Sequence, residues 1–403
     1  MKTIRVMYFV FLAAALASAA CGRGGRESAP EHVRTEIHEG VVFVHNGAVP
    51  VHPEKTVRFE KEIDFGGSEG EPGEVYRPGP FTVDEAGRVY IVDRSDQSIK
   101  IFESDGSFAR KFGRSGQGPG EFQSISHLAV RPDGRILVLD AQARRTTILE
   151  PTGEFVSSHP WTASMGTLLV LSDVYIVLES ARTDSETEIR VKTYDYEGRE
   201  IRNWGKFVAP AFRSVTRKMG ESMVTVGISV PYSPRSVFAG DPSGRRLYHC
   251  LNDAYVIEVY DDGGKLIRKI HRSYELLPVT EKDKTDYLKR FDSSPQAREL
   301  REGMPFPQVK TVTENMFADD RGFLWVATPV SRTEGDPKLT AFDIFDEEGI
   351  YDARVWLDKV PGRVFSGNRM YRLDEDPESG LSCVARYAVI WDELEFRDLD
   401  MTF

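Results

Sequence analysis

The chain has 403 residues, room for one large domain or two ordinary ones, and its 40% hydrophobic and 29% charged residues allow a sizeable core and exclude wholesale disorder. Lys+Arg 52 against Asp+Glu 63 leaves a net charge of −11, which argues against nucleic acid as a partner because phosphate binding needs a basic footprint. Three cysteines cannot build a disulfide framework.

The first element is an address. Lys2 and Arg5 precede an apolar run from Val6 to Ala20 that ends in small residues before Cys21. A basic start, a short apolar stretch and small residues at a cut mark an export signal over 1–20. The run is too short and ends too abruptly for a membrane span. Ser18-Ala19-Ala20-Cys21 resembles the bacterial lipobox, which implies that Cys21 becomes the acylated first residue of a mature lipoprotein. Ser18 stands where that motif has leucine, with Leu16 two positions earlier, so cleavage without a lipid is the alternative. Residues 21–35 read as a flexible tether after Cys21, and 36–403 as the folded part. Losing Lys2 and Arg5, with no acid, takes the net charge from −11 to −13. No later stretch reaches eighteen apolar residues.

A repeat follows. Sliding the chain by 47 residues lays Phe65–Phe108 on Phe112–Phe155 with 14 of 44 positions identical and no gap. The identities include Gly66/Gly113, Pro72/Pro119, Glu74/Glu121, Gly87/Gly134, Asp93/Asp140 and Gly106/Gly153. Each unit predicts four short strands. In the second, His127–Val130, Arg135–Asp140 and Thr146–Leu149 are separated by turn signals, and a last strand starts at Glu154. The turns are Arg131-Pro132-Asp133-Gly134 and Glu150-Pro151-Thr152-Gly153, where glycine supplies the positive φ of a tight hairpin. The second turn recurs at Asp195–Gly198, Asp261–Gly264 and Asp346–Gly349, and the first at Asp241–Gly244 and Asp319–Gly322. Arg369–Asp374 and Leu381–Ile390 are strands of a degenerate last unit. Thr56–Phe65, which lacks partners of its own, is predicted to supply that unit's outer strand. Four-stranded units at this period mean an all-β, six-bladed β-propeller of four-stranded antiparallel blades.

The run Phe112-Gly113-Arg114-Ser115-Gly116-Gln117-Gly118-Pro119-Gly120-Glu121-Phe122, followed by Leu128-Ala129-Val130, Asp133-Gly134 and Leu137-Val138-Leu139-Asp140, resembles an NHL repeat. From Thr56 to Ile390 the chain is similar to bacterial six-bladed propeller lipoproteins of that type, with the sharp motif confined to two blades. The resemblance implies a binding or scaffold fold in most members, and a metal-dependent lyase or hydrolase in a minority.

In a four-stranded blade the first-to-second and third-to-fourth turns share one face, and the second-to-third loops and blade crossings share the other. All the Asp-Gly-type turns fall in the first set. The long segments 113–121, 179–188, 205–231, 271–308, 331–337 and 374–380 fall in the second. Long loops in a compact repeat carry function, so the crossing-loop face is the expected ligand or partner face. Within 271–308, Thr280 and Asp283 have capping-box spacing, and Tyr287, Leu288 and Phe291 have helical spacing. They predict a short helix between blades four and five, laid either across the channel mouth or on a blade edge.

Candidate site residues follow from that face. His127 opens the innermost strand of blade two, with Asn315 at the equivalent place in blade five. A zinc site wants three or four ligands, and one histidine near the channel does not make one, so no metal and no other cofactor is expected. Asp93 and Asp140 end second strands and are expected to accept hydrogen bonds from loops rather than to bind calcium. The segment Lys206 to Lys218 holds Arg213, Arg217 and no acid, and Arg144, Arg145, Arg182 and Arg235 belong to the same face. Guanidinium groups there suit a carboxylate or phosphate. Cys250 and Cys383 are expected as buried free thiols, and the tryptophans as inter-blade core. No P-loop is present.

These features predict a cell-envelope lipoprotein whose propeller binds a protein, peptide or glycan through its long-loop face. It would be anchored in the membrane by an N-terminal lipid, outer-membrane-bound or facing the periplasm. The alternative is a metal-assisted lyase or hydrolase at the channel mouth, with an enzyme the less favoured of the two.

Overall fold

Short strands rich in Val, Ile, Leu and aromatic residues, punctuated by glycine turns, fold into six sheets around an axis. The computed structural model describes residues 33–393 apart from 67–69, 71, 132, 161–165, 171–173, 183–186, 220–221, 292–297, 300, 330–338, 359–360, 363, 376–379 and 381. Blade one comprises Pro78–Val83, Val89–Asp93, Ser98–Phe102 and Phe108–Phe112; blade two comprises Ile125–Val130, Ile136–Asp140, Arg145–Leu149 and Phe155–Pro160. Blade three comprises Gly166–Val170, Tyr175–Arg182, Thr187–Tyr194 and Glu200–Val208. Blade four comprises Ser236–Gly240, Arg246–Leu251, Val256–Asp261 and Leu266–Arg272. Asn315–Ala318, Leu324–Thr328, Thr340–Phe345 and Tyr351–Leu357 form blade five. Val364–Phe365, Arg369–Glu375, Ser382–Glu393 and Lys55–Phe65 form blade six.

The chain is therefore an all-β six-bladed propeller. Its ring is closed by the N-terminal strand Lys55–Phe65, which pairs antiparallel with Ser382–Glu393 from Lys55↔Glu393 to Phe65↔Val384. Every turn predicted from an Asp-Gly-type signal is closed by a hydrogen bond from the glycine N–H to the carbonyl three residues back, as in Gly134 to Arg131 and Gly349 to Asp346. Gly106 and Gly153 stand at equivalent turns with φ +90° and +92°. A Cβ at Gly153 would lie 2.5 Å from Phe112 Cγ, so both the backbone and the close approach require glycine.

The core lies between blades. Buried Trp325 packs with Phe59, Phe317, Phe342, Phe365 and Trp391 between blades five and six. Val237, Cys250, Val259, Met316, Val326 and Phe345 do the same between four and five. Trp161 lies outside the described residues. Cys250 and Cys383 are free and buried, and burial pushes both thiols up to about 12.

One addition was not legible in the repeat. Blade four has six strands, because the hairpin Val33–His38 and Val41–Asn46 adds to its outer edge, the second strand running parallel to Leu266–Arg272. Residues 33–35, read from the sequence as the end of the tether, are part of this hairpin. Buried Asn46 clips it down. Its Nδ2 donates to the carbonyls of His271 (3.2 Å) and Gly349 (3.0 Å), and its Oδ1 accepts from the Tyr351 N–H (2.8 Å). Within this edge hairpin His45 stacks on His271 at 4.9 Å and bonds Glu36 Oε1 at 3.1 Å.

Candidate functional site

The two long insertions fold onto each other on the crossing-loop face. Of residues 205–231, expected as one long loop, 205–208 belong to the outer strand of blade three, and Phe212–Met219 pairs with Ser222–Ser229 as a separate hairpin. In the second insertion the helix Glu281–Leu288 starts at a capping box: Thr280 Oγ1 accepts from the Asp283 N–H (3.2 Å), and Asp283 Oδ2 accepts from the Thr280 N–H (2.9 Å). Asp283 Oδ1 also takes the buried Lys310 ammonium at 3.0 Å. Burial pushes this carboxyl up, but the bonds from Thr280 and Lys310 prevail and hold it below the usual range. A short antiparallel bridge, Pro278 with Val309, ties the two ends of the insertion together.

The helix is seated on the other insertion. Tyr287, Leu288 and Phe291 pack with Met304 and Phe306 against Ile228 and Val230 of the hairpin insertion. The Tyr287 hydroxyl donates to the Ser229 carbonyl at 2.9 Å. Helix packing on a sheet partner buries its apolar stripe, and the partner here is the other insertion.

Between them lies a polar cleft of about 380 Å³ at the upper edge of blade four, lined among others by Tyr232, Arg235, Asn252, Tyr287, Arg290 and Glu314. Asn252, at the position that Asp93 and Asp140 occupy in blades one and two, builds its floor. Its Oδ1 accepts from the Arg235 N–H, and its Nδ2 donates to the Thr313 carbonyl, both at 2.7 Å. Arg235 Nη2 donates to the Glu314 carbonyl (2.9 Å), and the exposed Arg290 guanidinium sits 4.6 Å from the Tyr287 ring centre. Two guanidinium groups beside aromatic and amide walls suit a ligand carrying an anionic group and some apolar surface.

The candidates from the sequence do not converge. Arg235 lines the cleft, and Asn315 follows Glu314 at its rim, with its N–H on Thr313 Oγ1 (3.2 Å). Arg213 donates to the Glu302 carbonyl and joins the two insertions. Arg217 lies in the hairpin strand Phe212–Met219, with a side chain outside the described residues, as is that of Arg182. Arg145 is occupied in blade two, donating to the carbonyls of Gln117, Gly118 and Glu121, so it holds the glycine-rich loop. Arg144 is exposed at a turn with φ +51°. His127 Nδ1 lies 3.2 Å from Ser126 Oγ, and burial lowers its basicity, favouring the neutral ring. Among the described residues no group of three or more His, Cys, Asp or Glu is placed to hold a metal ion.

The second-strand carboxylates serve the loops. Asp93 accepts from the N–H groups of Tyr76, Arg77 and Ser95 and from the Lys100 ammonium (2.9 Å); Asp140 accepts from those of Gln123, Ser124, Gln142 and Ala143. Sequence reasoning missed Tyr232, Tyr287, Arg290 and Asn252 as cleft residues. The capping box marked the helix, but nothing in the sequence said that its partner would be a hairpin some 60 residues away.

Residues 82–189 match the family model DUF5128, a 6-bladed beta-propeller. A solved member of the DUF4221 family from Bacteroides vulgatus ATCC 8482 superposes with a TM-score of 0.50 at 11% identity, over 84% of this chain and 99% of its own. A Bacteroides fragilis NCTC 9343 protein gives 0.48 at 12% identity, over 87% and 99%. A gluconolactonase of Xanthomonas campestris gives 0.40 at 13% identity, over 78% and 87%. The likeness is of fold. No curated protein matches the chain. Among the described residues no helix is long and apolar enough to cross a membrane.

Proposed function

We propose that the chain is an exported, lipid-anchored cell-envelope protein whose propeller binds a peptide, protein or glycan in the cleft between its two insertions. The observation that carries this reading is the mutual packing of the insertions. Two segments separated by a whole blade fold together on the long-loop face and enclose a polar cleft with Arg235 and Arg290 at its walls. Stability alone does not call for such a pair, since the other crossings of the ring are made by shorter segments. Arg290 and Arg235 would take an acidic group of the ligand, and Tyr287 and Tyr232 its apolar part. The chain enters blade four at Val33, paired with Asn46, which in turn lies beside Arg272 at the loop-face end of the outer strand. Cys21 lies twelve residues earlier, so an anchor there would keep this face within about 40 Å of the bilayer.

Capture from detergent-solubilised envelope extracts, comparing the acylated wild type with Arg290→Ala and Arg235→Ala, tests the reading. Partners held by the wild type should be lost from folded Arg290→Ala. Capture unchanged in both folded variants would sink the cleft as the binding site. No specific observation favours the metal-assisted alternative: among the described residues no group of three or more His, Cys, Asp or Glu is placed around His127 to hold a metal ion.

A further inference from the structure

The first three strands of blade four place Ser236, His249 and Glu258 on the surface that faces blade three. His249 pairs across the sheet with Glu258 on one side and with Phe238 on the other, which puts Ser236 on its diagonal. His249 Nδ1 lies 3.2 Å from Glu258 Oε2, and its Nε2 lies 3.1 Å from Ser236 Oγ. The rings of Phe207 and Phe238, centred 5.0 and 4.9 Å away, hold the imidazole in place. Glu258 also accepts from the Tyr260 hydroxyl at 2.8 Å and pairs with Lys269 at 2.8 Å. The bond from His249 first of all, with those from Lys269 and Tyr260, overcomes burial and holds its carboxyl down to about 2.

A carboxylate that is ionised at neutral pH accepts the proton on Nδ1 and thereby leaves the Nε2 lone pair for the serine hydroxyl. Ser236 opens the innermost strand at the loop-face end, immediately after the cleft residue Arg235. It is 7% exposed and His249 8%, so whatever reaches it must be small.

We propose that Ser236 is a nucleophile toward small carboxylic esters, with His249 as its general base and Glu258 as the positioning residue. Ser236 Oγ bonds to the ester carbonyl carbon while its proton passes to His249 Nε2. The carbon–oxygen bond to the alcohol then breaks, and the leaving oxygen takes that proton. Water gives a proton to Nε2 as its oxygen bonds to the acyl carbon, the bond from that carbon to Ser236 Oγ breaks, and Oγ takes the proton back, so ester and water become acid and alcohol. This activity stands apart from the cleft reading and needs neither the lipid nor the insertions.

The test is reaction of the full mature chain with diisopropyl fluorophosphate, followed by peptide mapping and paired with hydrolysis of p-nitrophenyl acetate. The expected result is one diisopropylphosphorylated residue, Ser236, with Ser236→Ala unlabelled. His249→Gln should lower the labelling rate on the order of 100-fold. Glu258→Gln should lower it as well, and Glu258→Asp should restore part of it, which a merely structural contact would not do. Thermal unfolding establishes that each variant is folded; if His249→Gln is not, the Glu258 pair decides. No adduct at Ser236 in wild type, under conditions that label a reference serine hydrolase, overturns the proposal. So does a labelling rate that is the same in the folded base or positioning variants. In either case Ser236, His249 and Glu258 form a polar ladder that only satisfies its own hydrogen bonds.

Discussion

At the residue scale, the repeat works through a few side chains that close loops on backbone. Asp93 is fully buried and accepts from three backbone N–H groups, Ser95 Oγ and Lys100. Burial alone would raise its pKa, but the bonds from Ser95 and Lys100, with those of the backbone, outweigh it and hold it down to about 2. A carboxyl depressed on folding stabilises the protein fully above its unfolded value of about 3.9, and that contribution is lost as pH falls toward 2. Asp93→Asn should therefore lower stability at pH 7 and flatten the stability curve between about pH 4 and 2, as read by urea unfolding at several pH values. An equal slope in both proteins would assign the acid loss to other groups. This role was legible in advance, because the identity Asp93/Asp140 sits at a strand end before a loop. The glycines were legible for the same reason: Gly106 and Gly153 recur at one spacing, and both adopt positive φ.

At the element scale, the N-terminal hairpin is held to blade four by one edge of hydrogen bonds and by Asn46. Asn46→Ala leaves the Tyr351 N–H and the Gly349 carbonyl without their partner, at a cost of about 1–3 kcal/mol per buried group. The expected outcome is faster cleavage within 33–54 in limited proteolysis while the propeller core survives intact. Cleavage at the wild-type rate would show that the parallel pairing with Leu266–Arg272 suffices alone. Strand pairing of this kind was not legible in the sequence, since Val33–His38 and Val41–Asn46 alternate weakly and have no repeat partner. The helix Glu281–Leu288 was half legible: capping box and apolar spacing located it, whereas its seat on the hairpin depended on contacts between separate insertions.

At the scale of the whole molecule, the strand Lys55–Phe65 ties the beginning of the propeller to its end by completing the last blade. The additional hairpin starts with Val33 at the loop-face end of blade four, where Val33 pairs with Asn46 and Asn46 with Arg272. An acylated Cys21 would therefore hold the cleft toward the membrane surface instead of away from it. Cys21→Ala should move the protein from the membrane pellet to the soluble envelope fraction without changing its thermal unfolding. Retention of the folded variant in the pellet would refute a lipid as the main anchor.

The sequence by itself determined what recurs locally. Glycine turns, apolar strands and strand-end aspartates repeat at a 47-residue spacing, and each is read from its own neighbours, so the six-bladed fold and its closure were within reach. Tertiary structure alone decided what lies between blades. Arg145 spends its guanidinium on a neighbouring loop, the two insertions meet over Asn252, and Ser236, His249 and Glu258 align only through the registers of three paired strands. The physical reason is that strand register and loop packing are set by contacts far apart in the chain, where sequence periodicity carries no information.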